Sequence, residues 1–258
     1  MHGADRDVLL EQAHTEGGVQ PVRRLLDQLG HGAVEQHVPG RVAVGAVWAS
    51  ARGRAILSGL LLGVGTAVKL LPALLAPVIL RRRPVRAAAA GGAAIAAVGL
   101  AYRPHVLAVG PQMLGYLPTY LQEENYGSGS GFLLLGLLGL TGQAAQGVAL
   151  GLLVAAGLWT LCRCRDVPPA RLAVTLVGIA FLIPTPVQPW CAVLLVALIA
   201  LSGAWEWLAV AVAGYPLYLA AVLAAVLADD TVRAGRLSYG VALAVVAVAA
   251  LARRSRSA

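Results

Sequence analysis

The sequence from Ala55 onward consists of apolar runs separated by short polar or basic loops. Crossing a bilayer as a helix needs about 20 apolar residues, and several of these runs approach or exceed that length. The candidate membrane segments are residues 55–80, 87–101, 132–140 continuing into 144–161, 172–183, 191–201, 204–227 and 238–252. We therefore predict an all-α fold, a multi-pass transmembrane helical bundle with about six to eight membrane segments and short half-helices.

The composition supports a membrane environment, because 59% of the residues are hydrophobic and only 12% are charged. A soluble domain usually has about 25% charged residues, so this chain lacks the polar groups to cover a water-facing surface. The net charge of +8 is also compatible with nucleic-acid binding. The arginines, however, cluster between apolar runs instead of along one face, which indicates membrane lipids and no nucleic acid as partners.

The first 54 residues differ from the rest of the chain. They hold half of the acidic residues and most of the histidines, and no apolar run there is long enough to cross a bilayer. We interpret residues 1–54 as a polar leader, soluble or disordered, with a wrong start or reading frame as the alternative. Residues 55–252 are then the transmembrane helical domain, and residues 253–258 a basic cytoplasmic tail.

Charge asymmetry predicts the orientation, since cytoplasmic loops carry the excess of arginine and lysine. One set of loops and ends holds Arg52, Arg54, Arg81, Arg82, Arg83, Arg86, Arg163, Arg165, Arg171, Arg253, Arg254 and Arg256. We predict that this side, including the C-terminus, faces the cytoplasm in a plasma membrane. The loops 102–131, 184–190 and 228–237 then lie outside.

Lys69, the only lysine of the chain, lies near the middle of the first apolar segment together with Pro72. Because arginines flank both ends of that segment, we favour a hairpin of two half-helices over a single kinked crossing. A charge inside a membrane segment costs roughly 2.5–3.5 kcal/mol on insertion scales. Lys69 is therefore a candidate for contact with a lipid phosphate or a polar cavity, and snorkelling to the interface is the alternative.

The longest outer loop, 102–131, concentrates tyrosine, arginine, histidine, glutamate and asparagine beside a Gly/Ser stretch. Glu123 or Glu124 is a candidate base or a ligand for a sugar hydroxyl. An interfacial loop with solvated acids is the alternative. His105 fits a hydrogen-bonded interfacial residue better than a catalytic one.

The two remaining outer loops are shorter. Three prolines stiffen residues 184–190, where Trp190 has the position of a belt tryptophan and Gln188 is a candidate hydrogen-bond partner of a sugar. A rigid turn is the alternative for this loop, and loop 228–237 fits a solvated, charge-balanced turn. No motif for nucleotide or zinc chemistry occurs, so we predict no metal site and no cofactor. A divalent cation has no support in the sequence.

Three stretches carry a resemblance to a known family. They are residues 59–72 before the basic loop Arg81–Arg83, residues 115–128 in the long outer loop, and residues 184–190 at the start of a helix. In their order and spacing they resemble the multi-pass bacterial glycosyltransferases of GT-C type that use a polyprenyl-phosphate sugar donor. The chain is in particular similar to glycosyltransferase family 87, a mannosyltransferase-like group.

The resemblance implies transfer of a sugar, often mannose, from a lipid phosphate to a glycan or glycolipid on the outer face. It places Lys69 and Arg103 at the donor phosphate and Glu123 or Glu124 at the acceptor hydroxyl. Aromatic and hydrogen-bonding side chains would form the acceptor and sugar site, namely His105, Tyr116, Tyr120, Asn125, Tyr126, Gln188 and Trp190.

The sequence also departs from the family pattern. The family places its catalytic acid in an early outer loop, and no such loop precedes Lys69. We therefore expect an N-terminally truncated or divergent member. Two other hypotheses stay open, a polytopic transporter or lipid flippase and an inactive truncated fragment.

Overall fold

The computed structural model describes residues 39–81, 83–110, 132–162, 167–183, 191–227 and 231–257, which are helical apart from short turns and contain no strand. Among these described residues, the 3-10 helices Leu71–Leu75 and Trp205–Trp207 interrupt the series of α-helices. The α-helices are α1 (39–51), α2 (Ala55–Val68), α3 (Ala76–Leu80), α4 (Pro84–Val109), α5 (Leu133–Leu137), α6 (Gly142–Cys162), α7 (Pro169–Leu182), α8 (Ala192–Ser202), α9 (Leu208–Leu227) and α10 (Thr231–Ser257). The predicted all-α membrane bundle is confirmed.

Helices of two lengths build this bundle. Within the described residues, three helical stretches are long and apolar enough to cross a membrane, Pro84–Val109, Gly142–Cys162 and Val232–Arg253. Helices α2, α7 and α8 are apolar but shorter. A helix of 14 residues such as α2 extends roughly 21 Å, less than the hydrocarbon core of about 30 Å. The predicted half-helices are therefore present.

Helices α2 and α4 approach each other through residues without bulky side chains. A Cβ atom on Gly59 would overlap the backbone carbonyl of Ala90, and one on Gly63 would lie 2.8 Å from the Cβ of Ala97. Small residues four apart allow this backbone contact between membrane helices, where van der Waals packing drives association.

The same contacts give the direction of the two helices. Gly53 lies beside Arg86 at one end of the pair, and the carbonyl of Ala67 accepts a hydrogen bond from Tyr102 at the other end. Helices α2 and α4 are thus parallel, and residues 71–80, which connect them in the chain, run in the opposite direction. Both ends of the first apolar segment lie on one side, which confirms the hairpin and rules out the single kinked crossing.

Helix α1 corrects the predicted domain boundary at residue 54. Ala43, Ala46 and Val47 are almost completely buried, and they belong to the same hydrophobic cluster as Leu62 of α2. The sequence concealed this helix because its apolar run, residues 42–51, is much shorter than the roughly 20 residues that a membrane span needs. Residues 1–38 lie outside the described residues, so the leader stays a prediction there.

Helix α4 corrects the predicted start of the first outer loop. We expected the membrane segment to end at residue 101 and a loop to begin at 102, but α4 continues to Val109 and ends at Gly110, whose φ is 57°. Pro104 removes one backbone donor without ending the helix, and apolar residues follow it. The positive φ, which glycine tolerates, is the actual stop signal.

Helix α10 corrects both of its predicted boundaries. It begins at Thr231, so Arg233 and Arg236 belong to a helix and not to a solvated turn. At its other end it continues to Ser257, so residues 253–257, predicted as the basic tail, are helical. Arg253 is held there by an ion pair of 2.6 Å with Glu206.

The α2–α4 contact generates the first prediction. Replacing Gly59 by Ala forces the two backbones apart, and we expect the free energy of unfolding to fall by about 1–3 kcal/mol, as for other overpacked sites. Gly92→Ala on α4 is the matched control, because open space surrounds that position. Thermal unfolding of both variants in detergent measures the difference, and equal stability would contradict the close contact.

Candidate functional site

The turn of the α2–α3 hairpin is the first candidate site, and Lys69 occupies it. The backbone of Lys69 is extended, with φ −152° and ψ 138°, while its N–H still donates to the carbonyl of Gly65 at 3.0 Å. Pro72 lies near the N-terminus of the 3-10 helix that begins the returning half of the hairpin, where its missing N–H costs nothing. A Cβ on Gly65 would lie 3.4 Å from the Pro72 ring, so a small residue lets the turn close.

The two sequence neighbours of Lys69 are apolar and exposed. Its neighbours Val68 and Leu70 are 60% and 65% exposed, which suits contact with lipid. In the described part of the chain no acidic side chain forms an ion pair with Lys69. The ammonium group is therefore a cation at the end of a half-helix, available to an anionic ligand.

Tyr102 of α4 fixes this turn. Its hydroxyl donates a hydrogen bond of 2.9 Å to the carbonyl oxygen of Ala67, 35 residues away in sequence. The carbonyl of Ala67 is among the last four of α2, which have no donor within their own helix. Tyr102 thus satisfies a backbone group that the hairpin turn would leave without a partner.

The same hydrogen bond brings the predicted cations to one end of the hairpin. Lys69 follows Ala67 by two residues and Arg103 follows Tyr102 by one, so both lie close to the level of this bond. His105 lies two residues beyond Arg103 on α4, and both Arg103 and His105 are exposed. The structure therefore groups three predicted site residues at the end away from Arg86.

The remaining predicted site residues lie outside the described residues. They are Tyr116, Tyr120, Glu123, Glu124, Asn125, Tyr126, Gln188 and Trp190. The assignments of a catalytic acid and of the acceptor site stay predictions. Among the residues that the structure does describe, no group of three histidine, cysteine or acidic side chains is placed to hold a metal ion.

An apolar groove of about 680 Å³ is a feature that sequence reasoning missed. It lies between α5, α6, α7 and α10, with Leu138, Trp159 and Leu243 among its walls. Thr175 also lines the groove. Its hydroxyl donates to the carbonyl of Arg171 in the same helix, so the hydroxyl proton is already used in a hydrogen bond. Three consecutive helices and the distant α10 form the groove, so no local pattern could reveal it.

The fold and the site are those of a helical multi-pass membrane protein with a hairpin of two half-helices that has a lysine at its turn. The sequence profile of glycosyltransferase family 87 matches residues 38–186, which is more than half of the chain. The chain belongs to glycosyltransferase family 87 and is a membrane glycosyltransferase. The match begins next to α1 and includes the hairpin. No curated protein and no solved structure matches the chain.

The tether between Tyr102 and Ala67 generates the second prediction. Tyr102→Phe removes the donor and leaves the Ala67 carbonyl without a partner, so we expect the free energy of unfolding to fall by about 0.5–1.5 kcal/mol. Tyr215→Phe is the control, since this exposed tyrosine of α9 lies away from the hairpin. Thermal unfolding in detergent compares the two, and a similar small effect in both would contradict the tether.

Proposed function

We propose that this glycosyltransferase takes a hexose, with mannose as the first candidate, from a polyprenyl-phosphate donor. The acceptor is an extracytoplasmic glycan or glycolipid. The observation that carries the proposal is the position of Lys69, a cation at the turn of a membrane hairpin between lipid-exposed apolar residues. A phosphate on a membrane lipid is an anion that reaches this depth and offsets the cost of the charge.

The chemistry of the transfer requires a cation near the donor phosphate. The bond between the sugar C1 and the phosphate oxygen breaks, and a bond between C1 and the acceptor oxygen forms. The leaving polyprenyl phosphate changes from one negative charge to about two. Lys69, assisted by Arg103, stabilises the charge that develops on this oxygen, which is how fixed cations accelerate phosphate departure.

The acceptor hydroxyl loses its proton in the same step. Glu123 or Glu124 takes this proton in our proposal, because a carboxylate within hydrogen-bond reach serves as a general base. Aromatic and amide side chains of the two outer loops then hold the sugar and the acceptor, with His105 at the interface. They are Tyr116, Tyr120, Asn125, Tyr126, Gln188 and Trp190. The donor is already activated by its phosphate, so the proposal needs no further cofactor.

We place the reaction on the outer face of the plasma membrane. The guanidinium of Arg81 donates to the carbonyl of Val167 at 2.8 Å, which joins two of the arginine-rich connections at one end of the bundle. Lys69 lies at the opposite end of the hairpin from Arg81. The positive-inside rule makes the arginine-rich end cytoplasmic, which leaves Lys69 on the outer side.

This orientation generates a prediction about the C-terminus. A fluorescent protein fused after Ala258 should fluoresce, because it stays in the cytoplasm where it folds, and an alkaline phosphatase fused there should be inactive. Phosphatase fused in the segment 111–131 is the reciprocal control and should be active. Phosphatase activity from the C-terminal fusion would reverse the proposed orientation.

The role of Lys69 generates the central prediction. Lys69→Gln should lower the rate of sugar transfer from polyprenyl-phosphate mannose by about 100-fold, as for the loss of one stabilising donor at a transition state. Lys69→Arg keeps the charge and should retain part of the activity. The measurement is transfer of radiolabelled sugar by purified protein in nanodiscs.

The matched control is Arg83→Gln, which removes an exposed cation from the other end of the hairpin. It should transfer sugar at the rate of the unaltered protein. Thermal unfolding of each variant separates a loss of chemistry from a loss of fold. Equal rates for Lys69→Gln and Arg83→Gln, with both variants folded, would contradict the proposal.

A further inference from the structure

The turn between α1 and α2 brings two arginines onto one tryptophan. Trp48 lies in the last turn of α1 and is exposed. The guanidinium carbon of Arg52 lies 4.7 Å from the centroid of the Trp48 ring, and that of Arg54 lies 5.8 Å from it. Both distances are typical of a cation–π contact, so the indole ring holds the two cations near each other.

The backbone of this turn sets the position of both arginines. Its N–H groups form the pair of hydrogen bonds of a Schellman motif, with Gly53 in the left-handed position at a φ of 77°. Arg52 lies four residues after Trp48, and side chains at this spacing share one face of a helix. The reversal at Gly53 returns Arg54 to the same ring. The main chain therefore arranges the two cations.

A third arginine reaches the same turn from another helix. The Nη1 atom of Arg86, in the first turn of α4, lies 3.9 Å from the place that a Cβ on Gly53 would occupy. Arg52, Arg54 and Arg86 are all exposed. In the described part of the chain none of the three forms an ion pair with an acidic side chain. Like charges at short range repel one another, so the cluster favours an anion that bridges them.

Exposed apolar side chains lie next to this arginine cluster. Ile56 follows Arg54 by two residues and is 61% exposed, and Val85 precedes Arg86 and is 81% exposed. Leu60, one helical turn beyond Ile56 on α2, is exposed as well. A surface with cations at one end and aliphatic side chains beside them fits a molecule that has an anionic head and a hydrocarbon body.

We infer that Arg52, Arg54 and Arg86 bind the headgroup of an anionic glycerophospholipid, such as phosphatidylglycerol, from the leaflet at the arginine-rich end of the bundle. Guanidinium groups bond phosphate oxygens in pairs. Trp48 has the interfacial position that tryptophan prefers. The acyl chains lie against the exposed aliphatic residues of α2.

This site is separate from the donor site. It lies at the end of α2 opposite to Lys69, and its ligand is a bulk membrane lipid, so the inference does not rest on sugar transfer. Free phosphate and an acidic protein segment are the other anions that would meet the cluster. Both would leave Ile56 and Val85 uncovered, whereas a phospholipid covers them, so we commit to the lipid.

The test uses the full chain in nanodiscs that contain brominated phosphatidylglycerol or brominated phosphatidylcholine in an unbrominated background. Bromine on an acyl chain quenches a tryptophan that touches the lipid, and Trp48→Phe identifies the part of the emission that comes from Trp48. We expect phosphatidylglycerol to be preferred at Trp48 by at least about fivefold, the size for one arginine near a charged membrane surface. Equal quenching of Trp48 by the two lipids would overturn the inference and leave an acidic protein segment as the occupant.

Arg54→Gln should lower this preference by about fivefold, because one of the three cations is lost. Arg171→Gln is the matched control, since it removes an exposed arginine of α7 close to Val167, which bonds Arg81 at the same end of the bundle. The control should keep the preference of the unaltered chain. The same loss in both variants would indicate a general electrostatic effect and would overturn the site. Thermal unfolding confirms that each variant is folded.

Two further measurements separate the site from other anion sites. Lys69→Gln should leave the preference at Trp48 unchanged, and a loss equal to that of Arg54→Gln would assign the lipid to the donor site instead. Excess inorganic phosphate should not reverse the quenching, because it covers no apolar surface. Complete reversal by inorganic phosphate would show that the cluster binds the free anion and would overturn the lipid as its ligand.

Discussion

The backbone contact between α2 and α4 is the interaction on which the rest of the structure depends. Helices in a bilayer gain little from hydrophobic burial, so they associate through close packing and hydrogen bonds. Gly59 and Gly63 permit that packing against Ala90 and Ala97. Because α2 is too short to cross the membrane alone, the longer α4 provides the neighbour that holds it at depth.

The contact between α2 and α4 also determines where the charge of Lys69 lies. Parallel α2 and α4 force the intervening segment to return, and a returning chain must turn inside or near the membrane. Turns there are tolerated only where their backbone groups are covered or satisfied. Tyr102 meets this requirement by bonding the carbonyl of Ala67. The turn that results holds Lys69 beside apolar residues, so the packing of glycines accounts for the position of a cation.

The sequence predicts the parts of this fold that depend on local chemistry. Length and hydropathy identify the helical class, and arginines flanking a segment that contains Lys69 and Pro72 predict the hairpin. The features it missed depend on contacts between distant segments. Helix α1 is recognisable only through the core that buries Ala43 and Ala46. The groove needs α10 beside α5, two helices that lie about 100 residues apart in the chain.

Some basic residues of the described chain bond acceptor groups of the protein, and others form no ion pair with a described acid. Arg81 bonds the carbonyl of Val167 and Arg253 pairs with Glu206, so each of these contacts joins two segments of the protein. Lys69 differs, because it lies between the exposed apolar residues Val68 and Leu70 and forms no ion pair with a described acid. A cation at such a position is expensive without an anion. In the proposed reaction the polyprenyl phosphate donor supplies that anion, and its hydrocarbon chain covers the exposed apolar residues beside Lys69.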